Sequence, residues 1–129
     1  GLGDVYKRQA GAADKMAESV RHYFNGKKLI YIMGVFADKE YKIVLEKTAH
    51  FAEKIYTIET PDNPRALPAE ELAKAARVYN SSAESTKSIK DAVEKAFSCA
   101  GDDENSVILA FGSLSFIGAL TNAVEEYVG

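Results

Sequence analysis

The sequence predicts an α/β protein, a three-layer sandwich built on a mainly parallel sheet. Three observations predict it. Helix-like and strand-like stretches alternate along the chain with no hairpin signal between them, as βα units require. Leu29–Met33 and Val107–Phe111 are uncharged runs without polar alternation, the pattern of strands buried on both faces. A glycine closes each run, Gly34 and Gly112, and a helix-forming stretch comes next. Both runs are therefore expected as central strands, with their glycine turns on one edge of the sheet. That carboxyl edge is where open α/β sheets bind ligands.

A chain of 129 residues makes one domain, large enough to bury about two-thirds of its unfolded surface. A net charge of −3 gives no electrostatic case for nucleic acid or an anionic membrane. Cys99 is the only cysteine, which leaves no disulfide framework and no thiolate metal cluster. With no apolar leader in view, the expected compartment is the reducing cytoplasm. Residues 105–124 carry no charge, yet Gly112, Ser113, Ser115, Gly118, Thr121 and Asn122 interrupt their apolarity, so a membrane span is not expected.

Residues 1–9 show no period and join poorly to the helical stretch after them. They are read as a non-native tail at an assembly junction, leaving 10–129 as the domain. Ala13, Met16, Ala17, Val20, Tyr23 and Phe24 recur at helical spacing, and Asn25-Gly26 ends that helix. After the strand at 29–33, Asp38 stands where a helix N-cap belongs. Tyr41, Val44, Leu45, Thr48, Ala49 and Ala52 form the apolar stripe of the next helix, and Ile55–Ile58 reads as a second strand.

All three prolines lie between Thr60 and Pro68, so this stretch is expected as an extended surface loop. Pro68 suits the first turn of a helix over Ala69–Arg77, with Glu70 and Glu71 at the positive end of its dipole. Val78–Asn80 is the candidate for a very short third strand, and Ser81–Ser88 reads as a polar loop. Ile89, Ala92, Val93, Ala96 and Phe97 then give a further helix, and Leu114–Val128 the last.

Parallel topology would gather three loops on one edge: 34–39, 59–68 and 112–113. Ser113, between a buried strand and a helix, can cap that helix or join its N–H groups in facing a carboxylate or phosphate. Arg65, in a proline-stiffened loop, is either a solvated charge or a guanidinium aimed at a carboxylate. His22 and His50 are expected to face solvent, with no partner at metal-ligand spacing, and Cys99 is expected to pack on a helix. Neither a Gly-x-x-x-x-Gly-Lys-Ser/Thr loop nor a Gly-x-Gly-x-x-Gly fingerprint is present. No residue is assigned a catalytic or metal-binding role.

Three segments, Met33–Glu40 (Met-Gly-Val-Phe-Ala-Asp-Lys-Glu), Asn63–Leu72 (Asn-Pro-Arg-Ala-Leu-Pro-Ala-Glu-Glu-Leu) and Phe111–Leu114 (Phe-Gly-Ser-Leu), stand in this order with helices between them. Together they resemble the C-terminal domain of folylpolyglutamate synthase/dihydrofolate synthase, a branch of the Mur-ligase-like ATP-dependent amide ligases. The resemblance covers about Ala10 to Val128. It implies a Rossmann-like domain that closes over a cleft beside an N-terminal ATPase domain. It also implies a reaction that joins L-glutamate to a folate or to dihydropteroate through an acyl-phosphate made with MgATP.

By resemblance, Asp38 and Lys39 belong to a loop facing the cleft. Gly112 and Ser113 belong to the turn near the incoming glutamate. Asn63, Pro64 and Arg65 carry over as a motif without an assigned role. The family's Asp-Gly-Ala-His-Asn segment should stand just before Ala10, where Val5–Gln9 stand instead. The P-loop domain is not in this sequence either. The expectation is a fragment inactive alone, binding no cofactor by itself, its parent using glutamate, folate or dihydropteroate, and ATP. The alternatives are a stand-alone α/β binding module or the C-terminal domain of another Mur-type ligase.

Overall fold

The computed structural model describes residues 10–35, 37, 41–61, 63–112 and 114–129, the side chains of 10–16, 114 and 115 excepted. The expected tail, residues 1–9, lies outside the described residues. The elements run in the order α1 (Ala10–Tyr23), β1 (Lys28–Met33), α2 (Tyr41–Thr48), β2 (Lys54–Thr57), α3 (Ala69–Arg77), β3 (Glu84–Ser85), α4 (Ile89–Ala100), β4 (Ser106–Phe111) and α5 (Leu114–Val128). One 3-10 turn, Ala49–Phe51, extends α2.

The described strands form one sheet in the order β3-β2-β1-β4, every pair parallel. Strand β1 is central, pairing Lys28–Met33 with Ser106–Phe111 on one side and Ile30–Met33 with Lys54–Thr57 on the other. Alternate side chains of β1 point to opposite faces. Leu29, Tyr31 and Met33 join Val20 of α1, Val44 and Leu45 of α2 and Leu72 and Ala76 of α3 in one core. Ile30 and Ile32 join Ala92, Val93 and Ala96 of α4 and Phe116 and Leu120 of α5 in the other. Helices therefore cover both faces, which is the three-layer sandwich the apolar runs call for. Tyr31 is fully buried because its hydroxyl reaches the Thr48 carbonyl at 2.9 Å, while its ring meets Phe111 edge-on at 4.6 Å.

Two expectations are corrected. Strand β4 is an edge strand of the described sheet, not a central one. Its apolar run reports helices above and below it, and burial from the faces says nothing about a neighbour in the sheet. The third strand is Glu84–Ser85, inside the stretch read as a polar loop, whereas Val78–Asn80 continues out of α3. Val78 is helical (φ −60°, ψ −34°), donates back to Ala75 and is 76% exposed. Strand β3 has no apolar signature because pairing with Tyr56 and Thr57 alone makes it a strand, and Thr86 N–H extends the pairing to the Thr57 carbonyl at 3.0 Å.

Smaller features refine the reading. Pro68 stands at the N-cap of α3 rather than inside its first turn, ahead of Glu70 and Glu71. Helix α4 starts at a Ser88 cap: its hydroxyl accepts from Asp91 N–H at 3.1 Å, and Asp91 accepts from Lys87 N–H in return. The Arg77 guanidinium, 3.0 Å from Glu70, holds that carboxyl below its usual range, with the Ser85 hydroxyl adding to the effect. Glu84 is lowered likewise, by Lys95 at 2.9 Å and then Lys54 at 3.0 Å. Among the described residues no helix is long and apolar enough to cross a membrane.

Candidate functional site

The carboxyl ends of β1, β2 and β4 form a crest along one edge of the sheet. Gly34 and Gly112 meet there. Gly34 N–H donates to the Phe111 carbonyl at 3.1 Å, continuing the β1–β4 ladder one residue past the strand. A β-carbon on Gly112 would stand 2.2 Å from Phe116 Cδ2 and 2.7 Å from the Gly34 carbonyl oxygen. One on Gly34 would stand 2.5 Å from Ile58 Cδ1. At Gly112 glycine therefore lets main chain approach main chain and a buried ring, while at Gly34 it leaves room for the flexible end of the Ile58 side chain. The expectation that the two glycine turns share one edge holds.

The proline-rich loop docks onto the same crest through its main chain. Ala37 N–H donates to the Arg65 carbonyl at 2.8 Å, and Leu67 N–H donates to the Val35 carbonyl at 2.9 Å. Between these bonds, Asn63 Oδ1 accepts from Arg65 N–H at 2.9 Å, and the Asn63 carbonyl accepts from Ala66 N–H at 3.1 Å. Asn63 thus shapes its own turn, the use to which short amide side chains are suited. The stretch is not wholly a surface loop: Leu67 and Thr60 are buried, while Pro64 and Arg65 are exposed.

Of the seven residues singled out from the sequence, the structure brings Asn63, Pro64, Arg65 and Gly112 to this crest. Asp38, Lys39 and Ser113 lie outside the described residues, so the caps expected at Asp38 and Ser113 do too. His22 and His50 are exposed, as expected, each against the ring of its chain neighbour. Cys99 packs half-buried on the α4–α5 side, with its carbonyl accepting from Lys28 Nζ at 2.9 Å.

One crest residue has no role that the sequence alone suggests. Thr60 is 2% exposed, and its hydroxyl has no hydrogen-bond partner among the described residues. No sequence signal marks it, because a threonine in a proline-rich loop is ordinary and its isolation comes from what surrounds it in space.

The crest, among its described residues, presents main-chain dipoles and the Arg65 loop. Among the described residues no group of three or more His, Cys, Asp or Glu side chains could hold a metal ion.

The family model described as Mur ligase, glutamate ligase domain matches residues 2–114. A search of curated protein sequences returned no match. Among solved structures, folylpolyglutamate synthase of Mycobacterium tuberculosis, complexed with ADP and AMPPCP, superposes with a TM-score of 0.80 at 22% identity. It covers 95% of this chain and 29% of that one. The Thermotoga maritima folylpolyglutamate synthase gives 0.70 at 22% identity, covering 93% of this chain and 26% of that one. E. coli FolC in complex with DHPP and ADP gives 0.77 at 16% identity, covering 99% and 29%. At these identities the likeness is one of fold, and the chain spans under a third of each of those proteins.

Proposed function

The chain belongs to the Mur ligase, glutamate ligase domain family, and from that premise we propose that it is the substrate-closing domain of an ATP-dependent ligase adding L-glutamate to a folate or to dihydropteroate. The observation that carries this reading is the crest. Three separate sequence segments converge on one sheet edge, with Gly34 against Gly112 and the Asn63–Leu67 loop hydrogen-bonded to the Gly34 turn. The solved relatives of like fold bear names of folate enzymes, some of them complexed with adenine nucleotides, which supports the same reading.

In that reaction the acceptor carboxylate attacks the γ-phosphorus of ATP, giving an acyl-phosphate and ADP. The glutamate amine then attacks the acyl carbon, the C–O bond to phosphate breaks, and the amine proton leaves with the released phosphate or to water. Nucleotide and magnesium are assigned to a separate ATP-binding domain. This chain supplies the amino-acid side. The Gly112–Ser113 turn offers N–H groups and a hydroxyl to a carboxylate, Arg65 offers a guanidinium, and Asp38 and Lys39 border the cleft. We assign the protein to the reducing cytoplasm, in keeping with its single cysteine.

The test uses the full-length protein from the native gene, assayed for ATP-dependent glutamate addition to folates and to dihydropteroate. The wild type ligates, whereas the 129-residue chain alone shows no turnover. Ser113→Ala lowers kcat/KM for glutamate about ten- to a hundredfold, the worth of one hydrogen bond to a charged group, and changes the ATP dependence less. Ligation by the chain alone would overturn the division of labour. An unchanged glutamate dependence with a lowered urea midpoint would leave Ser113 as a helix cap.

A further inference from the structure

In the ligase reading Arg65 has a part, while Asn63 and Pro64, its neighbours in the motif, have none. The main chain of this motif is nonetheless fixed more fully than a surface loop needs. Residues 63–66 form a turn closed by Ala66 N–H, which donates to the Asn63 carbonyl at 3.1 Å. Such turns favour asparagine first and proline second. The amide oxygen accepts from the main chain two residues on, and the pyrrolidine ring presets φ. Both devices are present: Asn63 Oδ1 accepts from Arg65 N–H at 2.9 Å, and Pro64 follows Asn63.

Arg65, third in the turn, is held on both sides of its α-carbon. Its N–H goes to Asn63 Oδ1, and its carbonyl accepts from Ala37 N–H at 2.8 Å. Two residues on, Leu67 is buried in the same core as Val35, and its N–H donates to the Val35 carbonyl at 2.9 Å. The 37–65 and 67–35 bonds are the two that frame an antiparallel bridge, so the turn is fastened to the exit of β1 at two points. Packing of Arg65 does not explain this hold, because the residue is exposed. A guanidinium that meets a carboxylate in a set geometry does explain it: held in place beforehand, it loses less freedom on binding.

We propose that Asn63 is a positioning residue for the amino-acid substrate, its side-chain oxygen ordering the turn that holds Arg65 ready for a substrate carboxylate. Asn63 acts through Arg65 and touches no substrate itself, since its Oδ1 is taken by Arg65 N–H and its carbonyl by Ala66 N–H. The guanidinium fork matches a carboxylate with two parallel bonds, and that match depends on where the α-carbon stands. A group that binds in a fixed geometry owes it to the groups that support it from behind. Pro64 serves the same end by narrowing the backbone between them. This inference rests on the ligase reading and names how the proline-rich side of the crest takes part in it.

A double-mutant cycle in the full-length protein separates this role from a structural one. Arg65→Ala lowers kcat/KM for glutamate about ten- to a hundredfold, the worth of a hydrogen bond to a charged group. Asn63→Ala lowers it about fivefold, chiefly through a raised glutamate KM, with the ATP KM within about twofold of wild type. Asn63→Asp keeps the accepting oxygen and stays within about twofold of wild type. On top of Arg65→Ala, Asn63→Ala has no further effect on glutamate use, because the guanidinium it holds is gone. Every variant is assayed well below its urea midpoint, so that all are folded. An Asn63→Ala loss of the same size with and without Arg65 would make Asn63 a structural residue and overturns the proposal. So does a loss that Asn63→Asp shares, or unchanged glutamate use in Asn63→Ala or in Arg65→Ala. Failure of the ligase reading shows itself separately, as wild-type full-length protein that does not ligate glutamate at all, and would take this proposal with it.

Discussion

The two ends of the sheet are finished by different means. At the amino end, side chains tie off loose main-chain groups. Asn80 Nδ2 donates to the Ala49 and Ala52 carbonyls at 2.8 and 2.7 Å, and its Oδ1 accepts from Ser82 N–H and hydroxyl. Asn105 Nδ2 reaches the Gly26 carbonyl at 2.8 Å, and Lys28 Nζ reaches the Cys99 carbonyl at 2.9 Å. At the carboxyl end, among the described residues, the Gly34 turn, Gly112 and the proline-rich loop are joined main chain to main chain, the Thr57, Thr86 and Asn63 side chains brace the loops beside them, and a buried hydroxyl is left over. Polar side chains consumed in holding loops cannot also hold a ligand. The amino end is spent on stability, while the described part of the crest, from Gly34 and Gly112 to the proline-rich loop, is joined mainly through main chain, which suits a scaffold that presents its site at one edge.

On that contrast, the steepest loss of stability should come from crowding the carboxyl end. Gly112→Ala is expected to cost about 3 kcal/mol in urea unfolding, because its methyl meets both the fully buried Phe116 ring and the Gly34 main chain, and neither can yield cheaply. At the amino end Asn80→Ala is expected to cost about 2 kcal/mol, since two carbonyls lose their donor and the Ser82 turn loses its acceptor. The two should also differ in kind. In full-length protein Asn80→Ala leaves glutamate dependence alone, so a shift in glutamate KM without loss of stability would break the contrast.

The middle of the sheet gives the smallest effect and a pH signature. Tyr56 on β2 is pushed up to about 12 by burial, with Cys99 and Glu84 adding to it. Its phenol is neutral in both folded and unfolded chains below pH 10, so its contribution is fully present there. It is lost as pH rises toward 12, because only the unfolded chain ionises readily in that window. Relative to Tyr56→Phe, the wild type should lose about 1.4 kcal/mol between pH 9 and pH 11 in urea melts. A flat difference would show that water reaches the ring in the middle of the sheet.

Much of this architecture was legible in the sequence because apolar runs and helical stripes are local signals. Leu29–Met33, Ile55 and the stripe from Ile89 to Phe97 lie where their patterns put them. Strand β3 was missed because two half-buried polar residues have no pattern of their own, and the edge position of β4 because periodicity reports faces rather than neighbours. At the site, Gly34 and Gly112 were visible as strand-ending glycines, and Asn63–Arg65 as part of a motif. Thr60 and Asn80 were not, since Asn80 acts on residues 28 and 31 positions away in the chain and Thr60 is marked only by the partner it lacks.

The central place of β1 has a consequence for how the protein comes to be made. Its partner on one side, β4, begins at Ser106, after α2, β2, α3, β3 and α4 have all been strung out. During synthesis the most fully buried of the described strands therefore waits with one hydrogen-bonding edge bare until β4 has emerged. Parallel pairings this distant in sequence form late and slowly, after loop-closure entropy has been met. The nascent domain should depend on chaperones that shield strand edges, and released chains ending at Gly101 should resist protease far less than the 129-residue chain.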